Sequence, residues 1–284
     1  MVRSMTGFGS GQRSGPGIDL FVEVKAVNGR FLKLSVRSPA CLSSRESEIE
    51  ALVKKRLARG SLTATIRVRR TDPEKMVTVD EAMVRAYQST FRRLGLSEER
   101  IPTLPGVLGS IQEEQLSAEE WRLMRDAVEE AVEQLVSMRL REGAGLRSAV
   151  EAICQRISDA RQEVLQRAPK VVEEYRAKLT ARLAVLLDES MPLDEQQLAR
   201  EVALYADRAD ITEEVERLGV HLQHVMESLA SDGEVGRSLD FLAQEMLREV
   251  NTIGSKSADA QLARLVVGLK SEVERVKEQV ANIE

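Results

Sequence analysis

The side chains best suited to chemistry are concentrated between Gly236 and Ser257, in the stretch GRSLDFLAQEMLREVNTIGSKS. Glu245 and Glu249 lie four residues apart, so a helix places both carboxylates on one side. Hydrogen-bond donors suited to a phosphate crowd the rest of the segment: Arg248, Asn251, Thr252, Ser255, Lys256 and Ser257. A solvated helix face carries similar charges, and this simpler interpretation stays open.

A second group of polar residues lies upstream, in the block ADRADITEEVERLGVHLQHV. Four of its side chains fall at offsets of 0, 4, 7 and 11: Asp210, Glu214, Arg217 and His221. This spacing predicts that a single helical face carries all four. The chain has only two histidines, His221 and His224. A lone histidine on a helix more often makes a hydrogen bond than binds a metal, so both roles stay open for His221.

Packing of these two segments against each other would create an oxygen-rich site with one imidazole. Its predicted metal ligands are Glu214, His221, Glu245 and Glu249. Such donors suit Mn²⁺ or Mg²⁺ better than a metal that prefers thiolates. A bound ion can polarise a phosphoryl oxygen and lower the pKa of a water, while Arg248 and Lys256 balance the charge that develops on phosphorus.

The elements that must position these residues are predicted to be helices. Ser238 is the predicted N-cap of a helix that runs to about Thr252, Gly254 ends it, and Ser257 caps a second helix that reaches the C-terminus. The spacing of apolar residues predicts the buried stripe of the first helix: Leu239, Leu242, Met246, Val250 and Ile253.

The N-terminal part of the chain has a different pattern, which is typical of strands. Alternating or β-rich segments predict strands at 5–8, 20–27, 31–36 and 62–68, and a helix that follows Ser43 and Ser44 is ended by Gly60. Asn28-Gly29 predicts a hairpin between the second and third strands. Another helix is predicted from about Asp80 to Leu94.

Beyond residue 116 nearly every segment has helical periodicity. Helical stretches are predicted at about 117–168, 171–188, 194–229 and 238–282, with interruptions at Gly143 and Gly145. Residues 117–167 form either a long hairpin or a nearly continuous rod, which needs a partner surface and so favours an oligomer. The sequence thus predicts an α+β fold: a mixed sheet and helix domain at 1–100, a linker at 101–116, and a long-helix domain at 117–284 that carries the site.

Charge is divided unevenly along the chain. Residues 1–100 hold 19 Lys and Arg against 11 Asp and Glu, whereas residues 101–284 hold 22 against 35. A basic half can attract phosphate backbones, although helical regions that simply carry more Glu would produce the same division. The predicted phosphate contacts in the basic half are Arg30, Lys33, Lys54 and Lys55, and solvated cations explain them nearly as well.

Several classes of function lose support from the sequence. Cys41 and Cys154 give neither a disulfide framework nor zinc spacing, and Walker, GxGxxG and GxSxG motifs are absent. The N-terminus lacks an apolar signal region and no run of about 18 apolar residues occurs, so a cytoplasmic protein is expected. Aromatic residues make up 3% of the chain, and no base-stacking platform is evident.

Several separated motifs resemble the YicC family. These are MVRSMTGFG at the start, VEVKAVNGRFL at 22–32, EVALYADRADITEEVERLGVHLQHV at 201–225, LDFLAQEMLREVNTIGSKS at 239–257 and the ending LKSEVERVKEQVANIE. The motifs occur in the same order as in the family from one end of the chain to the other, while residues 71–199 match the family more in their arrangement of predicted elements than in residue identity. Lys277, where Arg is usual, and Val250, where a small residue is common, are minor departures.

The resemblance implies an endoribonuclease that requires a divalent metal, assembles as a hexamer and affects the turnover of small regulatory RNAs. Members of this family act on RNA, and no preference for DNA is expected. The family's acidic, Asn, Lys and His positions carry over to Glu245, Glu249, Asn251, Lys256 and His221. The predicted catalytic residues are therefore His221, Glu245, Glu249 and Lys256, with Arg248, Asn251 and Ser255 binding the substrate.

Two alternatives to catalysis stay open. A noncatalytic adaptor could bind RNA through its basic patches and deliver it to another ribonuclease, in which case an RNA-degrading exonuclease is a candidate partner. The acidic residues would then form structural ion pairs between helices. A purely structural helical scaffold is weaker, because it gives Asn251, Ser255 and Lys256 no role.

Overall fold

The computed structural model describes residues 2–29, 31–57, 59–72, 78–109, 115–186, 194–231, 233 and 235–284. The fold is α+β, as the sequence predicts. It consists of two compact units, Met5–Arg139 and Met1–Ser4 with Leu140–Glu284. Compactness does not test whether residues 101–116 separate independently folding domains, and that boundary stays a prediction. Within the described residues, no helix is both long and apolar enough to cross a membrane.

The N-terminal unit is built on a four-stranded sheet. Its strands are β1 (Gly7–Gly15), β2 (Ile18–Val27), β3 (Lys33–Arg37) and β4 (Ser61–Arg70), in the order β1-β2-β4-β3. A 3-10 helix (Ala40–Arg45) and helix α1 (Glu46–Lys54) connect β3 to β4. The rest of this unit comprises β5 (Thr78–Val79), α2 (Glu81–Leu94), a 3-10 helix (Glu98–Thr103) and β6 (Leu108–Gly109).

The hairpin predicted at Asn28-Gly29 is wrong. Strand β2 pairs antiparallel with β1 and β4, and β3 lies beyond β4 and pairs with it in parallel. Parallel neighbours require a crossover, and α1 between β3 and β4 supplies one. The hairpin of this sheet is instead β1 with β2, closed by Pro16-Gly17.

Glycines on alternate positions of β1 allow the strand to lie directly against a helix. Gly9 and Gly11 face the backbone of helix α3 (Ala118–Leu186), and a Cβ at Gly9 or Gly11 would overlap the carbonyl oxygen of Ala131 or Ala127, respectively. The helix buries Met124, Val128, Leu135 and neighbouring apolar residues against the sheet. Alternation along β2 puts Ile18, Leu20, Val22, Val24 and Ala26 in this core.

Helix α3 (Ala118–Leu186) is continuous and contributes residues to both units. The nearly continuous rod is therefore the observed alternative, and the interruptions predicted at Gly143 and Gly145 are wrong. Gly143 is needed for close packing, because a Cβ there would overlap the backbone of Val2. Within the same unit, the Glu284 amide donates to the Arg3 carbonyl, so the two chain ends lie together.

The C-terminal unit adds four helices to the later part of α3. They are α4 (Glu195–Ala209), α5 (Thr212–Ala230), α6 (Gly236–Lys256) and α7 (Ala260–Val280). The apolar stripes of α5, α6 and α7 share one core with α3, while α4 packs against this core through the partly buried Tyr205. The five residues predicted for the stripe of α6 are all buried in it. The predicted helix at 194–229 is broken, because Asp210 accepts hydrogen bonds from the amide and hydroxyl of Thr212 and α5 starts there.

The predicted ends of α6 are also wrong. The helix begins at Gly236 and includes Ser238. It continues past Gly254, where the missing side chain admits Val266 of α7, whose Cγ1 lies 2.9 Å from the position a Cβ would take. Asp259, not Ser257, caps α7, because its carboxylate accepts hydrogen bonds from the amides of Gln261 and Leu262.

Candidate active site

Helices α5 and α6 position most of the predicted site residues. Only residues 231–235 separate the two helices, and an ion pair joins the start of α5 to the end of α6, so they pack antiparallel. Glu214 and Glu249 are each 5% exposed, because both lie beside the apolar stripes through which the helices pack. Charged groups this deeply buried require partners.

Glu214 has its partner in Lys256. The Lys256 Nζ donates to Glu214 Oε1 at 2.7 Å, while Glu214 Oε2 is buried and has no hydrogen-bond partner among the described residues. Asp210 lies just before α5, at the same end of the antiparallel α5 and α6 pair as Glu214 and Lys256. Its pKa is lowered, mainly because Thr212 donates two hydrogen bonds to its carboxylate, and the positive charge of Lys256 contributes. The Lys256 ammonium group therefore stabilises two carboxylates, those of Glu214 and Asp210.

Glu249 forms its ion pair with a different cation, Arg217. A guanidinium nitrogen of Arg217 lies 4.0 Å from Glu249 Oε1, and Arg217 also pairs with Glu213 on its own helix. Glu245 is half-buried and lies 3.6 Å from the guanidinium of Arg248. The two buried acids between α5 and α6, Glu214 and Glu249, are thus each paired with a cation of the facing helix.

His221 lies on α5, seven residues after Glu214. Its Nδ1 atom is buried and makes no hydrogen bond to any described residue, whereas His224 is exposed. A buried ring nitrogen without a partner can exchange a proton with a substrate or a water, or can ligate a metal. The structure therefore distinguishes the two histidines.

The four predicted metal ligands do not form one cluster. In the described ranges, no three His, Cys, Asp or Glu side chains are grouped so that they could hold a metal ion. Their assignment as ligands stays a prediction. The donor atoms present are nevertheless suitable, because Glu214 Oε2 and His221 Nδ1 both lack a partner within the described chain. Mg²⁺ is commonly held by only one or two carboxylates together with waters and substrate phosphates.

The predicted substrate-binding residues of α6 lie on its outer face. Arg248, Asn251 and Ser255 line an open depression of about 480 Å³ together with Gln244, Leu247 and Thr252. The Ser255 hydroxyl donates to the Thr252 carbonyl at 2.9 Å. Lys256 instead contacts Glu214, so the structure divides the predicted residues between two faces of one helix.

The predicted phosphate contacts of the basic half belong to the N-terminal unit. Lys33 is exposed at the start of β3, and Lys54 forms an ion pair of 2.5 Å with Glu50. Lys55 lines a small pocket of about 100 Å³ together with Glu129 and Glu133. Arg30 lies outside the described residues.

Sequence reasoning missed an ion-pair network that holds the start of α7. Arg167 of α3 donates to Asp259 at 2.8 Å and also pairs with Glu174. The hydrogen bond from Arg167 is the main cause that lowers the pKa of Asp259 to about 2, and the helix amides add to it. The N-cap position of Asp259 was readable from the sequence, but its partner, 92 residues away, was not.

A neighbouring cavity was also missed. About 380 Å³ in volume, it lies where α3 passes the junction of α4 and α5. Apolar residues such as Leu165, Val172 and Ile211 line it, together with Asp207, Asp210 and Thr212. The site thus consists of a buried acid and ammonium pair, an imidazole whose Nδ1 atom has no partner among the described residues, and an adjoining cavity.

Taken together, the fold and site define a protein with a mixed-sheet unit and a long-helix unit in which buried acids are held by cations. Residues 2–148 match the family model described as Endoribonuclease YicC-like, N-terminal region, and residues 164–284 match Endoribonuclease YicC-like, C-terminal. The chain belongs to the YicC-like family, as its sequence motifs indicate.

Two relatives match over their full lengths. A protein of Clostridioides difficile (strain 630), named "Probable endoribonuclease YicC", is 34% identical over 293 residues, which cover all of both chains. A protein of the same name from Haemophilus influenzae (strain ATCC 51907 / DSM 11121 / KW20 / Rd) is 29% identical over 292 residues, again covering all of both.

Proposed function

We propose that this protein is an endoribonuclease that cleaves phosphodiester bonds within RNA with the help of Mn²⁺ or Mg²⁺. The observation that carries the proposal is the buried Glu214, whose one oxygen contacts Lys256 while the other lacks a partner in the described chain. His221 lies on the same helix, and its buried Nδ1 atom makes no hydrogen bond to any described residue. The family relationship, with relatives named probable endoribonucleases, supports RNA as the substrate.

Glu214 is the residue that would hold the metal ion, and His221, two helical turns or about 10 Å further along α5, stays a proposed ligand. The unpartnered Glu214 oxygen matches the preference of Mn²⁺ and Mg²⁺ for carboxylate ligands, and water and RNA phosphate would supply the other positions. When bound, the ion would neutralise negative charge on the phosphate and acidify a water. Glu245 and Glu249 remain proposed ligands in an arrangement that RNA binding would complete.

The reaction proposed is hydrolysis. A water oxygen bonds to phosphorus, the bond from phosphorus to the 3′ oxygen breaks, and the proton released by the water passes to that oxygen, leaving a 3′-hydroxyl and a 5′-phosphate. His221 Nδ1 has no competing hydrogen bond in the described residues and is available either to accept the proton of the water or to join the metal ligands, but not to do both, because it has one lone pair. Lys256 is proposed to contribute its positive charge to stabilising the transition state.

The wider role proposed follows the resemblance to the family. The protein acts in the cytoplasm as a homo-oligomer, with a hexamer as the expected assembly, and contributes to the turnover of small regulatory RNAs. Lys33, Lys54, Lys55 and Arg30 are proposed to contact RNA phosphates through charge, without reading bases.

One observation favours a second candidate, a noncatalytic RNA-binding adaptor that hands RNA to an exonuclease. Glu214 with Lys256 and Glu249 with Arg217 are ion pairs between helices, which is the structural role that the adaptor requires of these acids. An adaptor would bind RNA equally well with and without metal and would release no product.

The test is cleavage of an end-labelled structured RNA with Mn²⁺ or with EDTA. Matched variants are His221→Asn against His224→Asn, and Glu214→Gln against Glu216→Gln, because each control changes an exposed residue of the same helix. We expect internal cuts only with metal, lost in His221→Asn and Glu214→Gln and kept in both controls. Equal cleavage by all five proteins would indicate a contaminating nuclease, and binding without cleavage would favour the adaptor.

A further inference from the structure

The outer face of α6 carries a continuous row of exposed side chains, which we call the α6 outer stripe. Its members follow each other at spacings of four and three residues: Arg237, Phe241, Gln244, Arg248, Asn251 and Ser255. The stripe is about 27 Å long, as expected for the 18 steps of about 1.5 Å between residues 237 and 255 of an α-helix. It contains two guanidinium groups, two amides, a hydroxyl and a phenyl ring, and no carboxylate.

The two neighbouring helices present different outer faces. The corresponding exposed row of α5 is Glu213, Glu216, Val220, Gln223 and Glu227, and that of α7 is Arg264, Val267, Ser271, Glu274 and Glu278. Carboxylates therefore make up much of both rows, in a part of the chain that is acidic as a whole. The α6 outer stripe is the exception, and the acids nearest to it, Asp240 and Glu245, are only half-exposed at its edge.

Phe241 is the most unusual member of the stripe. The chain has five Phe residues, and Phe241 leaves 60% of its surface exposed on a helix whose other side supplies ample apolar packing. An exposed ring of this size loses the free energy that burial would provide. Its position, two helical turns or about 10 Å from Arg248, puts an aromatic face and a cation on one line.

We propose that the α6 outer stripe is a binding subsite for a single strand of RNA, in which Phe241 stacks on an unpaired base and Arg248 contacts a neighbouring phosphate. This inference rests on the proposed function, since it takes RNA as the substrate. Every base has a face that can stack on a phenyl ring, and guanidinium and amide groups donate to phosphate and base edges. Lys256 faces Glu214 on the adjoining side of α6, so the outer stripe and the ion pair of the candidate active site occupy two faces of the same helix.

The composition of the stripe favours RNA over a protein partner. A helix that docks onto another protein presents several apolar residues at its centre, whereas here a single ring is followed by amide, guanidinium, amide and hydroxyl groups. A base in a double helix cannot reach Phe241, because both of its faces are stacked on neighbouring bases. Single-stranded segments are therefore the expected ligands.

The experiment replaces Phe241 with Trp and follows fluorescence during titration with a 12-nucleotide oligoadenylate in EDTA. Wild-type protein is the control, because its single tryptophan, Trp121, is buried. We expect quenching in the Phe241→Trp protein with the single strand and little change with a 12-base-pair duplex. Equal responses to single strand and duplex, or no quenching at all, would overturn the stacking contact.

A second measurement compares Phe241→Ala with Val267→Ala, which alters a 68% exposed apolar residue of α7. Loss of one stacked base should weaken oligoadenylate binding about 5- to 100-fold in Phe241→Ala and leave Val267→Ala unchanged. Light scattering on the same samples reports the number of subunits. A change in subunit number with unaltered RNA affinity would assign the stripe to contacts between copies of the chain and overturn the proposal.

These measurements separate the subsite from the proposed activity. Binding in EDTA tests the α6 outer stripe without requiring cleavage, whereas cleavage with Mn²⁺ tests the endoribonuclease assignment. Quenching by oligoadenylate in a protein that never cuts RNA would uphold the subsite and reject the nuclease. Cleavage that is unaffected by Phe241→Ala, together with no quenching, would reject the subsite and uphold the nuclease.

Discussion

The glycine-rich strand at residues 7–11 and helix α6 both contain unusual residues, but these residues face opposite kinds of surroundings. Gly9 and Gly11 of β1 lie against the backbone of α3, where no side chain fits. The outer stripe of α6 faces solvent with polar groups and a phenyl ring that packing does not require. A distinctive stretch of sequence can therefore serve close packing in one region and binding in another, and only the structure separates the two.

Gly11→Ala should have the largest effect on stability. The added Cβ would overlap the Ala127 carbonyl oxygen, so strand and helix must separate, at a cost of about 3 kcal/mol. Urea unfolding would measure it. The matched control is Gly145→Ala in the interior of α3, where nothing lies within 4 Å and the change should stabilise by about 1 kcal/mol. Wild-type stability in Gly11→Ala would contradict the packing role of the strand.

Lys256→Met should have the next largest effect. It leaves the buried Glu214 without its cation, and since Lys256 is itself 36% exposed, we expect a loss of about 1–3 kcal/mol, below the range for fully buried pairs. Adding Glu214→Gln should recover most of this loss. Lys277→Met, which breaks an exposed pair with Glu274, should change stability by less than about 0.5 kcal/mol. Equal unfolding midpoints for the two lysine variants would mean that the pair of Lys256 with Glu214 contributes no more to stability than the exposed pair of Lys277 with Glu274.

Asp259→Asn should have a smaller effect with a definite pH dependence. The pKa of Asp259 is lowered from 3.8 to about 2, mainly by the hydrogen bond from Arg167, so the folded state favours the ionised form. This contribution is fully present above pH 4 and is lost as the pH falls towards 2. Asn retains capping ability, so the variant should lose about 1 kcal/mol at neutral pH. Unfolding at several pH values should show this difference shrinking below pH 4, and a constant difference would exclude the ion pair as its cause.

Much of the fold was predictable because its signals are local. Periodicity predicted α2, which Asp80 caps in the structure, and the apolar stripe of α6. The glycines at residues 29 and 143 were misleading, because the sequence does not distinguish a glycine that permits close packing from one that makes a turn. The same ambiguity hid the role of Gly9 and Gly11 in β1.

The candidate site was predictable in its residue types but not in its pairings. Glu214 and Lys256 are 42 residues apart, and no local pattern shows that an antiparallel hairpin brings their side chains together. The α6 outer stripe was readable, since its spacing of four and three residues is a sequence property. It was missed because scarce aromatic residues suggested that no base-stacking surface exists, whereas one exposed ring on a polar helix face is enough to propose one.

Arg248→Ala should have the smallest effect on stability and the clearest effect on binding. Its side chain is 75% exposed and its pair with Glu245 lies at the surface, so the free energy of unfolding should change by less than about 0.5 kcal/mol. If Arg248 contacts one phosphate of a single strand, the slope of log affinity against log salt should become shallower by about 0.7. Titration of oligoadenylate at several salt concentrations measures this slope, with Arg264→Ala on α7 as the control. An unchanged slope would remove the phosphate contact of Arg248 from the proposed subsite, which would then rest on the Phe241 stacking contact alone.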